Sequence, residues 1–179
     1  MIGAERALLL AVRDTLRDSP YSFAETECEI EFDEMTPATV GQHYLAVMPG
    51  GWRPGPRHDS CGGVNDLVYG VDVLVIKRIT NVPRDRRRNV FIDQLGSLDA
   101  LIDKVYQAVD FKYGLLDTAN GTIAVETGSL EGFVEPLKFS YVDKRPRLAP
   151  AELFSGAKDN AAGMMRLVSF TGARRLTHK

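Results

Sequence analysis

The longest apolar run in the chain is Leu67 to Thr80, LVYGVDVLVIKRIT, and it is also the richest in β-branched residues. As a strand it would be greasy on both sides: Leu67, Tyr69, Val71, Val73 and Val75 alternate with Val68, Leu74 and Ile76. A strand covered on both faces has this pattern, whereas a half-exposed one alternates with polar residues. The stretch predicts the central strand of a sheet, with Gly70 and Asp72 marking a bulge or bend in so long an element. At Lys77-Arg78 the run turns polar and leads into a basic loop ending at Arg88, at the rim of the molecule.

Periodicity elsewhere supplies the remaining elements. In Ala4–Asp18 the spacing of Leu8, Leu9, Val12 and Leu16 predicts an amphipathic helix, ended by Ser19-Pro20. Thr26–Phe32 alternates strictly, which predicts a strand with Cys28, Ile30 and Phe32 facing in and Glu27, Glu29 and Glu31 facing out. Gln42–Met48 predicts a second strand. Asp85 is placed to cap a short helix over Arg86–Leu95, and Ser97 to cap a stronger one ending near Asp110. Leu98, Leu101, Ile102, Val105, Tyr106 and Val109 form the apolar stripe of the latter. Thr122–Val125, Pro136–Val142 and Met164–Phe170 read as further strands; in the second, Leu137, Phe139 and Tyr141 alternate with Lys138 and Ser140.

Two stretches read as long loop extensions. In 49–65 five glycines and three prolines argue against regular structure, and 143–163 is a second long connection. The order is helix, three strands, one or two helices, then two or three strands. It predicts a single domain over 1–179 of class α+β: a mostly antiparallel sheet around a long central strand, packed by an N-terminal helix and a mid-chain helix.

Composition alters this little. With 179 residues, 44% of them hydrophobic and 26% charged, the chain can build a core without metal or disulfide staples. A net charge of −2 gives no global pull towards nucleic acid or acidic membranes. Cys28 and Cys61 imply no disulfide framework and fit a reducing, cytoplasm-like compartment. No apolar segment approaches the length of a membrane span.

Catalytic and cofactor patterns are missing from the sequence. There is no phosphate-binding Gly-rich loop ending in Gly-Lys-Ser/Thr, no Gly-x-Gly-x-x-Gly, no Cys-x-x-Cys and no His-Glu-x-x-His. His58, Asp59 and Cys61 lie close together, but a Gly/Pro loop is a poor metal cage, so neither metal nor cofactor is expected. Cys28 reads as a small buried hydrophobe and His43 as structural. Asp66, Asp72 and Lys77 approach the acid-and-lysine pattern of some metal-dependent nucleases. Asp72 and Lys77, however, are an odd number of residues apart and point to opposite faces of a strand. A small intracellular metal-dependent nuclease or nucleic-acid-binding protein is therefore the alternative reading, not the first.

The anomalies are in the charges. Arg84, Arg86, Arg87 and Arg88 crowd the start of a predicted helix, where the dipole disfavours cations. Arginine is favoured where carboxylates or phosphates are gripped bidentately, so the cluster points to an interface. Glu25, Glu27, Glu29, Glu31, Asp33 and Glu34 are its obvious complement, in the same chain or a neighbour. Trp52, between Gly51 and Arg53 and near Arg57, is either an anchor for a partner's pocket or a lid on its own core.

This element order, with a C-terminal strand ending in Phe170-Thr171-Gly172-Ala173-Arg174-Arg175, resembles the tail terminator and neck (tail-completion, head–tail joining) proteins of tailed bacteriophages. The resemblance implies a non-enzymatic virion protein, assembled in the host cytoplasm, that forms a hexameric ring capping the tail tube and joining it to the head connector. Its partners would be copies of itself and neighbouring neck, tail-tube or connector proteins, with no membrane and with DNA passing only passively. In such a ring Arg84, Arg86, Arg87, Arg88, Trp52, Arg53 and Arg57 would sit at the interface. Glu27, Glu29 and Glu31 would either line the channel or form an ordinary solvated face.

Overall fold

A computed structural model of the chain describes residues 4–32, 41–58, 64–79, 87–110, 133–149 and 162–177. The elements are α1 (Ala4–Arg17), β1 (Cys28–Ile30), β2 (His43–His58), β3 (Val64–Ile79), α2 (Arg87–Val109), β4 (Phe133–Val142), β5 (Arg147–Ala149) and β6 (Ala162–Thr177). The six strands form one sheet in the order β1-β2-β3-β6-β4, with β5 pairing β6 past the end of β4. Every pairing is antiparallel except that of β1 with β2. The fold is the α+β arrangement that the hydrophobic pattern predicts, and β3 is its central strand.

The two helices pack on one face of this sheet. Leu8, Val12 and Leu16 of α1 and Leu98, Val105 and Val109 of α2 bury themselves against Leu45, Val47, Val73, Val75, Val168 and Phe170. The sheet residues alternate along their strands, as one face of a pleated sheet requires. Each such side chain contributes roughly 1.5–3 kcal/mol when fully buried. The opposite face carries a much thinner cluster, Tyr44, Ala46, Ile76 and Ala149, with Met48, Leu74 and Met165 packed beside it. That is why β3 reads as greasy on both sides.

Several local expectations are corrected. Residues 49–58 are not a loop: β2 continues through them as a strand of 16 residues, paired to an equally long β3. Proline cannot donate to a ladder and is confined to edges. Pairing with β1 stops at Val47, so among the described residues Pro49, Pro54 and Pro56 lie where β2 is itself the sheet edge. The surplus residues are taken up by register shifts between Pro49 and Trp52 and between Pro54 and His58. At the first shift Gly51 has φ +75°, a left-handed conformation that glycine adopts freely. The bulge is therefore on β2. On β3, Gly70 and Asp72 sit in an unbroken register with β6 that runs from Val64–Thr177 to Ile79–Ala162. Gly70 is required for a different reason: a Cβ there would lie 2.9 Å from the Gly50 carbonyl oxygen.

The two predicted helices after the basic loop are one, α2, running straight through Gly96-Ser97. Ser97 does not cap; its hydroxyl turns back to the Gln94 carbonyl at 3.2 Å. The stretch 143–163 contains β5 and the start of β6, and the basic segment Ala173–Leu176 is still strand. Alternation in β4 fails after Leu137: Phe139 and Tyr141 are 41% and 47% exposed, because the pairing with β6 shifts between them. The predicted strand Thr122–Val125 lies outside the described residues.

Candidate functional site

The face of the sheet away from the helices holds an open groove of about 510 Å³. It crosses the four strands β2, β3, β6 and β4. The outer strands supply its sides: Arg53 and the bulge before Trp52 from β2, Ser140 and Tyr141 from β4; Trp52 itself pairs with Tyr69, which packs with the helix-side core. The inner strands supply the floor, with Gly70 and Asp72 from β3 and Ser169 and Thr171 from β6. The floor is low because Gly50 and Gly70 meet backbone to backbone; a Cβ on Gly50 would come within 2.8 Å of the Gly70 carbonyl carbon. Trp52 is 63% exposed, so it is not a lid on the core. Asp72 is paired in register with Met48 and Ser169, which brings a carboxylate to the middle of the groove. Of these residues the sequence singled out Trp52, Arg53 and Asp72. Ser140, Tyr141, Ser169 and Thr171 converge only because β6 inserts between β3 and β4.

The acidic strand is shorter and more engaged than its alternation suggests. Only Cys28–Ile30 pair, and Phe32, expected inside, is 68% exposed beyond the end of β1. Glu27 O and Glu31 N bond to Leu45 and Val47 of β2, so the backbone groups of Cys28 and Ile30 point to the open edge. That edge is closed by side chains. Arg17 Nε donates to the Cys28 carbonyl at 2.9 Å, and its Nη2 donates to the same oxygen and to Glu29 Oε2. Ile30 N donates to Glu29 Oε1 at 2.9 Å, and Arg13 Nη1 lies 3.3 Å from the same oxygen. Partial burial would raise the Glu29 pKa, but the Ile30 N–H and the Arg17 guanidinium outweigh it and hold the carboxyl below its ordinary range.

The neighbouring glutamates are also tied within the chain. Glu27 lies 3.3 Å from His43 Nε2, and Glu31 accepts a short hydrogen bond from the Tyr44 hydroxyl. Burial, reinforced by that carboxylate, pushes the Tyr44 phenol well above its usual pKa. Glu27, Glu29 and Glu31 are thus partly covered and individually partnered, rather than a bare acidic face.

The basic turn is only partly in view. Arg84 and Arg86 lie outside the described residues, as do Asp59 and Cys61 of the His58, Asp59 and Cys61 group, where no metal is expected. Helix α2 is described from Arg87, with no acidic residue in its first turn, and Arg88 is exposed. Arg57 and His58 fall at the end of β2. At the other end of β2, beside the start of α2, lies a recess of about 420 Å³, lined by Gln42, Lys77, Arg78 and Gln94. Lys77 lines this recess while Asp72 lines the groove, so the two do not converge as nuclease chemistry would need. Among the described residues no group of three or more His, Cys, Asp or Glu is placed to hold a metal. No described helix is long and apolar enough to cross a membrane. Cys28 is a buried free thiol beneath α1, and burial pushes its pKa up to about 12.

The chain matches no protein-family model, and no curated protein matches it either.

Proposed function

We propose that the chain is a structural subunit that assembles with copies of itself into a ring of a phage tail or neck, capping the tail tube and joining it to the head connector. The observation that supports this most is the one-sided architecture. Helices α1 and α2 pack against one face of the sheet, and among the described residues only the thin cluster around Tyr44 and Ile76 fills the other. Phe32 and Leu148, large apolar side chains outside the helical layer, are exposed. Burying such side chains against another chain is favourable. The element order resembling tail terminator and neck proteins supplies the ring, and with it the virion location and the passive passage of DNA.

In this reading the arginines at 84–88 pair with carboxylates of a neighbouring chain. Arg88 is exposed at the first turn of α2, where its charge gains nothing from its own helix dipole. The test is light scattering on the purified full chain, with electron microscopy of the same fractions. A species of six times the 19.8 kDa subunit mass, seen as rings, is the expected result. Replacing Arg86, Arg87 and Arg88 by alanine should leave the circular dichroism unchanged and lower that mass. A strict monomer at high concentration, alone and with tail-tube protein, would refute the proposal.

A further inference from the structure

We infer that the basic turn between β4 and β5 docks on the β1 edge of a second copy of the chain. This deepens the ring proposed above, on which it rests, by naming two surfaces that meet between neighbours.

The turn is a braced basic projection. Asp143 N donates to the Leu167 carbonyl of β6 at 3.0 Å. The Asp143 side chain is 7% exposed, and its carboxylate accepts from the Tyr141 hydroxyl at 3.3 Å and from Arg147 Nη2 at 3.2 Å. A buried carboxylate is costly unless it is bonded in this way, so these contacts hold the turn in one shape. Lys144, Arg145 and Arg147 place three cations in four residues, all of them exposed. The carboxylate of the turn, Asp143, is already taken up inside it.

The complement lies at the opposite edge of the same sheet, on β1. The outward Cys28 carbonyl and Ile30 N–H are engaged by Arg17 and Glu29, so a partner meets side chains there rather than an open ladder. The Arg17 guanidinium also holds the Glu25 carbonyl, which sets Glu25 and the adjoining Asp18 at this edge, both exposed. Among the described residues neither Asp18 nor Glu25 is in an ion pair. Glu29, although bonded to Arg13 and Arg17, remains 44% exposed.

The two edges stand at the same height. Cys28 pairs with Leu45, Leu45 with Val75 and Val75 with Arg166, so β1 begins on the rung of Arg166. Arg147 pairs with Met165, and Asp143 bonds to Leu167, so the turn brackets that rung. Copies laid side by side with their sheets in one orientation therefore bring the turn of one to the β1 edge of the next. By the same route Ile30 shares the rung of Val168, and Tyr141 pairs with Ser169, one rung further on. Phe32, two residues past Ile30 and 68% exposed, thus comes near the height of Tyr141, 47% exposed, and adds an apolar contact beside the charges. The unlike edges also select the symmetry. An isologous dimer through either edge sets like charges against each other, whereas a heterologous contact joins unlike charges and repeats from copy to copy, as a ring requires.

The experiment reverses each edge in the full chain. One variant carries Lys144→Glu and Arg145→Glu, the other Asp18→Lys and Glu25→Lys; all four positions are exposed. Light scattering across a concentration series in low salt gives the mass, and circular dichroism checks the fold. The wild type should assemble, and each variant alone should need about a hundredfold higher concentration to do so. An equimolar mixture should regain the wild-type mass, because one variant then has two acidic edges, the other two basic ones, and a six-membered ring can alternate them. If a double variant fails to fold, Arg145→Glu and Glu25→Lys are compared singly in the same way. Variants that assemble like the wild type, or a mixture that stays as dissociated as its components, overturn the edge contact and leave the ring itself standing. A wild type that stays monomeric overturns both.

Discussion

Replacing Arg17 by alanine should destabilise the protein far more than a surface ion pair would. The guanidinium makes two hydrogen bonds to the Cys28 carbonyl, one to the Glu25 carbonyl at 3.2 Å and one to Glu29 at 2.9 Å. Its side chain is 19% exposed and that of Glu29 44%. An exposed ion pair contributes only ~0–1 kcal/mol, while a hydrogen bond to a charged group contributes ~1.5–3 kcal/mol. The bonds share one donor group and do not add fully. The alanine variant also takes both Arg17 donors from the Cys28 carbonyl at a sheet edge. We expect a loss of about 3 kcal/mol. Glu29→Gln, which removes the ionic part but keeps an acceptor near Ile30 N, should cost under about 1 kcal/mol.

The assay is urea denaturation of both variants at neutral pH, in low and high salt. A contribution carried by carbonyl bonds barely responds to salt, whereas a screened pair fades as the Debye length falls to about 3 Å at 1 M. The pH dependence separates the two further. Glu29 has a lowered folded-state pKa, so its contribution is fully present above the ordinary carboxyl value of 4.5 and is lost as pH falls through the folded value. The gap between wild type and Glu29→Gln should therefore close in acid, while most of the Arg17→Ala deficit persists. Equal losses in the two variants at neutral pH, or a loss in Arg17→Ala below about 0.5 kcal/mol, would refute the reasoning.

Other positions give sharper yes-or-no results. Gly50→Ala and Gly70→Ala should each cost about 1–3 kcal/mol by overpacking, since their Cβ atoms meet backbone at 2.8 and 2.9 Å; Gly41→Ala, with nothing within 4 Å, should be harmless by thermal melts. Phe170→Ala should cost about 3–5 kcal/mol, against much less for the exposed Phe139, both read by urea unfolding. In a Cys61→Ser background Cys28 should resist a disulfide reagent at pH 8 and react once urea unfolds the chain. Its thiol is raised from 9.0 to about 12, so this stabilising term is complete below pH 9 and declines as pH rises towards 12.

The fold was legible wherever burial imposes a period. Leu8, Val12 and Leu16 mark α1, and the two-sided apolar run of β3 announces a central strand, because each lies against a neighbour on its buried side. Legibility failed where an element's surroundings change along its length. The glycines and prolines of 49–58 argue against an interior strand, and β2 is interior only as far as Val47. Sequence cannot say where a neighbouring strand stops, so it cannot say where a proline becomes harmless. Gly96-Ser97 misled for a related reason. Side chains from both halves of α2, among them Val90, Phe91, Leu98 and Val105, pack against the core. This tertiary packing outweighs one glycine's roughly 1 kcal/mol preference for ending a helix.

The same distinction explains which parts of the candidate sites could be read. Glu27, Glu29 and Glu31 alternate as a wet strand face should, but their partners Arg13, Arg17, His43 and Tyr44 come from α1 and β2. Those partners depend on which edge of β2 takes β1, a choice the local pattern does not encode. The groove is harder still. Its chemistry depends on Asp72 facing Ser169, and Ser169 facing Tyr141, across two antiparallel registers. One residue of slip in either would turn the hydroxyls to the helix side and put Val168 in the groove. The polar residues flanking Phe170, Ser169 and Thr171, are the only trace of this in the sequence. Phe170, buried with Val71 and Val168 under the helices, holds the register. The core residue that fixes the fold is thus also the one that aims the groove. Phe170→Ala should therefore weaken any ligand of the groove by more than its distance from the surface suggests.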